Sequence, residues 1–160
     1  MPFNEQGAKW IRRTRRLALY IRDGFRCVYC QTDLLDAHPK SITLDHVDGT
    51  LVFGLAIHTN DNLVTCCQPC NKSKHDNDVT AWADARTLTR VRQQTTLPVV
   101  GLLLISVGLV RNARATKQRS AWVAAVKKAQ AYCALVRFSQ PATASLKNRR
   151  HNSTRSYTNA

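Results

Sequence analysis

Residues 67–70 read CQPC and repeat the spacing of CVYC at residues 27–30, with 36 residues between the two pairs. Two cysteines separated by two residues in a tight turn aim both sulfurs at one point. Four thiolates form the closed tetrahedral shell of a structural zinc ion, which supplies folding energy to a small segment. The sequence therefore predicts that zinc is bound by Cys27, Cys30, Cys67 and Cys70.

Two further cysteines, Cys66 and Cys133, are expected to be small buried apolar residues. Cys66 is the weaker ligand candidate, because pairing it with Cys70 would place three residues between the sulfurs where a knuckle normally has two. Core thiols without metal are the alternative for the four cysteines. The first residues, MPFNEQGAKWIRRTRR, contain no apolar run typical of an export signal, which favours thiolate ligands over disulfides.

Basic residues dominate the composition: Lys and Arg number 24, Asp and Glu 10, and the formal net charge is +14. Residues 1–26 hold seven basic and two acidic side chains, residues 27–84 hold three and eight, and residues 85–160 hold fourteen and none. This distribution favours flanks that hold the phosphates of a nucleic acid and a middle segment that collects cations. A basic surface that only keeps the protein in solution is the alternative.

The length of 160 residues suits one domain with appended segments. We expect a basic helix in residues 1–23, a zinc-bearing core in 24–78, a helical extension in 79–138 and a basic, disordered tail in 139–160. The longest apolar run, Leu97 to Val110, has 14 residues, whereas a bilayer crossing needs about 20. A buried segment is therefore expected there, in a cytoplasmic protein without a membrane partner.

The spacing of apolar residues predicts the elements around the cysteines. A helix is expected over residues 6–22, ended by Gly24. Strands are expected over residues 41–47 and near 62–66, which are rich in β-branched and apolar residues, and a further helix from Pro69.

Two more helices are expected, over residues 79–93 and 113–137. The second carries an apolar stripe at spacings of four, three, four and three, made of Trp122, Val126, Ala129, Cys133 and Val136. We expect this stripe to pack on the Leu97–Val110 segment or on the same stripe of another copy of the chain.

Asp45 and His46 stand side by side between the two cysteine pairs. An imidazole can be a neutral base near physiological pH, as the activation of a water molecule requires. A carboxylate is a hard ligand suited to magnesium or manganese. Successive residues of a strand point to opposite faces, so the two side chains can share a site only at a bend or at the end of the strand.

In the segment 24–78 the sequence resembles the HNH endonuclease family, in its branch with four zinc-bound cysteines. The matching text is CVYC, then LDHV, then NLVTCCQPCNKSK. The resemblance implies an α+β protein with a small ββα-metal core, also called a His-Me finger, held by a structural zinc ion and flanked by helices on both sides.

The resemblance also implies roles for single residues. His46 matches the general base, and Asn62 matches the asparagine that ties down the loop and orients that base. Asp45 and Asn71 match the ligands of a catalytic divalent cation, magnesium or manganese. His75 lies where some members place an additional metal ligand.

Each of these residues has a simpler interpretation. His46 could be a partly buried histidine bonded to backbone, Asn62 could support a turn, and Asn71 could cap the helix that follows. His58 could lie at the rim of the site.

The resemblance implies a metal-dependent endonuclease that cuts or nicks double-stranded DNA and leaves 5′-phosphate and 3′-hydroxyl ends. Basic side chains would hold the DNA phosphates, and the candidates are Lys72, Lys74, Arg12, Arg13, Arg15 and Arg16. The alternative is a zinc-stabilised nucleic-acid-binding module without catalysis. RNA as the substrate is a third hypothesis, which charge alone does not distinguish from DNA.

Overall fold

The computed structural model describes residues 11–49, 58–116 and 120–139. Within these ranges the chain forms a two-stranded antiparallel sheet and six helices, which confirms the α+β class. In chain order the elements are α1 (Arg13–Arg22), β1 (Ile42–His46), β2 (Leu63–Cys67), α2 (Gln68–Lys74), α3 (Val79–Trp82), α4 (Ala85–Thr95), α5 (Val100–Ala115) and α6 (Ala121–Ser139).

β1 and β2 lie close to the two predicted strands and pair from Ile42 opposite Cys67 to His46 opposite Leu63. β1 ends at His46, so the second residue of the Asp-His pair is the last residue of its strand. α2 follows β2 without a break, and a proline in the first turn suits a helix start, because the first amides have no partner within the helix.

α1 begins at Arg13, so the prediction of a helix through residues 11 and 12 is wrong, because the backbone of Arg12 is extended; residues 6–10 lie outside the described residues. The helix buries Leu17, Ala18, Leu19, Tyr20 and Ile21 in the core, where it packs against α5 and α6. The Tyr20 hydroxyl donates to the carbonyl of Ile42 over 2.8 Å, which joins α1 to the sheet. Gly24 has a φ of 61°, in the left-handed region that glycine enters without strain, and it turns the chain into the first cysteine pair as predicted.

The single helix predicted over residues 79–93 is wrong, since the chain forms α3 and α4 with a break at Ala83 and Asp84. The Asp84 carboxylate accepts a hydrogen bond from the backbone amide of Thr87, 2.7 Å away, and so begins a new helix. Asp78 caps α3 in the same way by accepting from the amide of Thr80. Both caps are visible in the sequence as an aspartate before a helical segment.

The apolar run at residues 97–110 forms, from Val100 onward, most of α5, which has one buried and one exposed face. In α5, Ser106, Val110 and Ala113 are buried, whereas Val100 and Leu104 are each 74% exposed, so the expected buried segment is only partly buried. Among the described residues no single helix combines the length and apolar content of a bilayer span. Only α4 and α5 taken together would do so, and they meet at an angle of 75°.

α6 buries the middle of the predicted stripe, Val126, Ala129 and Cys133, and packs against α5 and α1, whereas Trp122 is partly buried and Val136 is exposed. The buried part of the stripe therefore packs on the predicted segment of the same chain. The helix starts at Ala121 rather than at residue 113, because α5 extends to Ala115. The tail that was expected to be disordered lies, from residue 140 onward, outside the described residues.

Candidate metal centre and catalytic site

The four predicted zinc ligands come together at one place. The sulfurs of Cys27, Cys30, Cys67 and Cys70 all lie within 4.8 Å of one another, and the Sγ atoms of Cys30 and Cys67 are 3.7 Å apart. Zinc with bonds of about 2.3 Å places tetrahedral sulfurs about 3.8 Å apart. The cluster is therefore compatible with a structural metal such as zinc. Cys66 is excluded from it, since its sulfur lies 3.1 Å from the Thr43 hydroxyl instead.

Backbone hydrogen bonds hold the first cysteine pair against the sheet. The amide of Val28 donates to the carbonyl of Thr65 in β2 over 2.9 Å. From α4, the Arg90 guanidinium donates to the carbonyls of Val28 and Tyr29, the second over 2.6 Å. Because Cys67 ends β2 and Cys70 lies in the first turn of α2, the metal centre joins the knuckle, the sheet and the helix.

The thiols of the cluster differ in pKa. Burial raises the pKa of Cys27 to about 11 and raises the pKa of Cys70 as well. Burial acts in the same direction on Cys30, but hydrogen bonds from Thr32 and from neighbouring thiols lower the pKa of Cys30 to about 6. Metal binding requires thiolates, so a bound ion would displace protons from Cys27 and Cys70.

Asp45 carries a buried carboxylate that already has partners. Its Oδ2 atom accepts a hydrogen bond from the Tyr29 hydroxyl, 2.7 Å away, and lies 3.2 Å from Nζ of Lys74. Burial raises the pKa of Asp45, while the Lys74 ammonium, the Tyr29 hydroxyl and the backbone amide of His46 act to lower it. These three donors stabilise a charge that would otherwise be costly in the interior.

Lys74 is not the surface residue that the sequence predicted. Its side chain is 0% exposed, and within the described part of the chain its ammonium has no partner besides the Asp45 carboxylate. A lysine in this position cannot contact a phosphate of a bound nucleic acid. The expectation that it does so is therefore incorrect for this conformation.

His46 follows Asp45 as the last residue of β1, and its side chain is partly buried. Its Nε2 atom lies 3.0 Å from Nδ1 of His58, and the two ring centroids are 5.1 Å apart. Burial, His58 and Lys74 lower the pKa of His46 to about 4, against the opposite effect of Asp76. The ring is therefore neutral at physiological pH.

Asn62 closes the connection between the two strands. Its side-chain oxygen accepts from the backbone amide of Asp48 over 2.8 Å, and its carbonyl accepts from the amide of Val47 over 3.0 Å. These bonds fix the chain directly after His46 to the chain directly before β2. His58 lies four residues before Asn62, on the same fixed segment.

Asn71 lies within α2 and directs its side-chain amide at β1. The amide nitrogen is 3.2 Å from the carbonyl of Leu44 and 3.2 Å from the Thr43 hydroxyl. Asn71 is not the helix cap that the simpler interpretation proposed, since the cap position of α2 is occupied by Cys67. Its amide therefore sits beside the peptide that leads into Asp45.

His75 lies apart from Asp45 and Asn71. It ends α2 with 68% of its side chain exposed, and its Nδ1 atom is 3.2 Å from the Asp76 carboxylate. The structure thus brings Asp45 and Asn71 to one region of the sheet, whereas His75 points into solvent.

The arginines of α1 have two kinds of environment. Arg12 and Arg13 are exposed, as is Lys72 on α2, and these side chains are accessible to a polyanion. Arg15 is half-buried, and its Nε donates to the Asn60 side chain over 2.8 Å. Arg16 lies 3.4 Å from the Tyr20 hydroxyl. Arg15 and Arg16 therefore contribute to the fold as well as to the charge of the surface.

Sequence reasoning missed the pairing of Lys74 with Asp45, the part of Tyr29 in holding that carboxylate, and the contact of His58 with His46. The spacing that places Asn71 and Lys74 on one side of α2 could have indicated the pairing of Lys74 with Asp45. Nothing in the local sequence indicated the other two. Comparison with known proteins adds no relative, since no family model, curated protein or solved structure matches the chain.

Proposed function

We propose that this chain is an HNH-type, metal-dependent endonuclease that hydrolyses phosphodiester bonds in double-stranded DNA and leaves 5′-phosphate and 3′-hydroxyl ends. The observation that carries the proposal is the position of His46 and Asp45. They stand at the end of β1, in a pair of antiparallel strands that leads directly into α2 and is held by a four-cysteine cluster. This order of two strands, one helix and a metal centre supports a ββα-metal core.

His46 is the proposed general base. An imidazole is neutral near physiological pH and can take a proton from the water that attacks phosphorus. The half-buried ring lies at the strand end, where the backbone is fixed by Asn62 and the ring contacts His58. A base held in one orientation is more effective than one that samples several.

Asp45 and Asn71 are the proposed ligands of a hard divalent cation. A carboxylate and an amide oxygen are the donor types that magnesium and manganese prefer, and the Asn71 amide lies next to the backbone of Leu44. A bound ion would supply positive charge against the scissile phosphate and the departing oxygen. The Lys74 ammonium now neutralises Asp45, so this lysine has to withdraw from Asp45 before the carboxylate can serve as a ligand.

The exposed Arg12, Arg13 and Lys72 side chains are the proposed phosphate contacts. Residues 85–160 add fourteen basic side chains and no acidic ones, so both flanks of the core can attract a nucleic acid.

The experiment is cleavage of a supercoiled plasmid by the zinc-loaded protein with magnesium, with manganese and with EDTA. We expect nicking that requires a divalent cation and that falls by at least about 100-fold in the His46→Ala variant, which lacks the base. Duplex DNA, single-stranded DNA and RNA are compared in the same assay. The His38→Ala variant is the matched control, because His38 is an exposed histidine whose ring accepts from the backbone amide of Lys40 in the chain before β1 and which has no role in the proposed reaction.

Equal nicking by the wild-type and His46→Ala proteins would contradict the proposal, as would binding of DNA without cleavage under every metal condition. The second result would favour the alternative function, a zinc-stabilised nucleic-acid-binding module. The ion pair of Asp45 with Lys74 favours that alternative, because a carboxylate paired with a buried ammonium is a stable structural element.

A further inference from the structure

We propose that the outward face of α4, made of Arg86, Thr89, Arg92 and Gln93, docks into the major groove of a DNA duplex. This proposal rests on the proposed function, because it takes double-stranded DNA as the ligand. It adds a helix face and a groove to the phosphate contacts already proposed near α1 and on α2.

The four residues of this face lie on one side of α4. They recur at spacings of three and four, as neighbours on the surface of a helix do. All four are exposed, whereas Thr87 on the other side is buried together with Val91. The helix has 11 residues, which makes it about 16 Å long. α4 therefore presents a polar face of about three turns to solvent.

The chemistry of this face suits an anionic ligand that carries hydrogen-bond acceptors. Two guanidinium groups and the Gln93 amide supply donors, and the Thr89 hydroxyl donates to a carbonyl of the preceding turn over 2.9 Å. Asp84 precedes the face, where its carboxylate caps the helix with Arg86 nearby. Residues 85–160 contain no acidic side chain, so the sequence after the cap supplies no charge that repels a phosphate.

The size and side chains of α4 favour the major groove of DNA. A helix with its side chains is about 10–12 Å across, and the major groove of B-DNA is about 12 Å wide, whereas the minor groove is about 6 Å wide. Arginine and glutamine bond the edges of guanine and adenine that the major groove displays. The outward positions Val100 and Leu104 of α5 are apolar and offer no such donors.

α4 is fixed to the part of the chain that carries the proposed site. Arg90, on the inward side of α4, donates to carbonyls of the CVYC turn, including that of Tyr29 over 2.6 Å. The Tyr29 hydroxyl in turn donates to Asp45 over 2.7 Å. Gln94 donates to the carbonyl of Arg22 over 2.7 Å. A duplex held on α4 would therefore keep a constant position relative to the proposed catalytic residues.

The first measurement is the groove that the bound protein covers. Zinc-loaded protein binds a fluorescein-labelled DNA duplex with both A·T-rich and G·C-rich tracts, without added magnesium or manganese, and fluorescence anisotropy reports the bound fraction. Methyl green, which occupies the major groove, and netropsin, which occupies the minor groove, are added as competitors. We expect methyl green to displace the protein and netropsin to leave it bound. A duplex RNA of the same sequence should bind at least about 10-fold more weakly, because its major groove is narrow and deep.

The second measurement is the affinity of substituted proteins for the same DNA duplex. We expect the double variant Arg86→Gln/Arg92→Gln to bind at least about 10-fold more weakly, as the loss of direct contacts implies. Gln93→Ala keeps the charge and should bind at least about 3-fold more weakly. The double variant Arg111→Gln/Arg114→Gln is the matched control, because it removes the same charge from exposed positions of α5. It should weaken binding by no more than about 3-fold.

The inference is overturned if netropsin displaces the protein as well as methyl green does, or if the two double variants lose equal affinity. It is also overturned if the wild-type protein binds no DNA duplex. Melting curves show whether the variants are folded, and the groove competition on the wild-type protein decides the question if the α4 variant is not.

The outcome is separable from that of the proposed function. A protein that binds DNA through α4 but nicks no plasmid retains this inference and loses the proposed function. A protein that nicks plasmid, and whose α4 variants bind DNA like the wild type, retains the proposed function and loses this inference.

Discussion

Gly49 lies where the chain after β1 packs against the backbone of Asp76. A Cβ atom at this residue would be 2.6 Å from the carbonyl oxygen of Asp76 and 2.8 Å from its carbonyl carbon. Both atoms belong to backbone, which cannot rotate away as the end of a flexible side chain can. The residue therefore allows the chain after β1 to pack on the turn after α2, next to the amide of Val79 that donates to the carbonyl of Val47 over 2.9 Å.

We expect Gly49→Ala to lower the free energy of unfolding by about 1–3 kcal/mol, the usual cost of forcing an extra carbon into a packed site. Urea denaturation measures it. Gly108→Ala is the matched control, because nothing lies within 4 Å of a Cβ at this helical position, and alanine is the better helix former by about 1 kcal/mol. A Gly49→Ala protein as stable as the Gly108→Ala protein would contradict the close contact.

Among single residues, the sequence predicted the four clustered cysteines best. Spacing alone selects Cys67 over Cys66, because both the metal knuckle and the start of α2 are local features. The partners of Asp45 and His46 could not be obtained in this way. Lys74 is 29 residues and His58 is 12 residues from its partner along the chain, and which side chains meet depends on how the helix and the loop pack on the sheet.

Among the elements, α1 ends in a buried pair of charged residues, Arg22 and the following Asp23. The side chains of Arg22 and Asp23 are both 0% exposed and form an ion pair of 2.7 Å. Asp23 also accepts from the amide of Thr65 over 2.6 Å, and Arg22 donates to the carbonyls of Asn60 and Leu63. The end of α1 is therefore bound to β2 and to the segment that carries His58.

We expect Arg22→Met to lower the free energy of unfolding by about 3–5 kcal/mol, because it leaves the buried Asp23 carboxylate without its cation. Thermal and urea denaturation measure the loss. Arg13→Met, at an exposed position of the same helix, is the matched control and should change stability by no more than about 0.5 kcal/mol. Similar effects of the two substitutions would contradict the anchoring role of Arg22.

The elements also show which helix boundaries a sequence can predict. The two strands and the helix start near Pro69 follow from local composition and agree with the structure. The break between α3 and α4 was missed because apolar periodicity continues through it, although the Asp84 cap interrupts the backbone. α5 extends to Ala115 because its packing against α1 and α6 outweighs the weak local pattern.

For the whole molecule, the four-cysteine cluster links distant parts of the chain. It joins two cysteine pairs that are 36 residues apart in sequence. Within the described residues the sheet beside it has two strands and ten residues, and so small a sheet is marginal by itself. A metal ion held by the four cysteines would therefore contribute directly to folding.

We expect one zinc ion per chain, lost together with the folded core when a strong chelator is added or when Cys67 is replaced by serine. Elemental analysis measures the metal, and circular dichroism with a melting curve measures the fold. Cys66→Ala is the matched control, since this neighbouring cysteine lies outside the cluster and the variant should retain its zinc. Wild-type metal content in the Cys67→Ser protein would rule out the four-cysteine centre.

The charged side chains of this protein are of two kinds. Lys74 with Asp45 and Arg22 with Asp23 form buried ion pairs, whereas Arg12 and Arg13 are exposed. Dissolved ions weaken attraction between exposed charges over about 8 Å at physiological ionic strength, but they reach sealed pairs far less. Rising ionic strength would thus loosen the hold of Arg12 and Arg13 on any polyanion while the interior pairs persist. Any binding of a polyanion by the exposed arginines and the stability of the core would therefore respond differently to the concentration of the surrounding electrolyte.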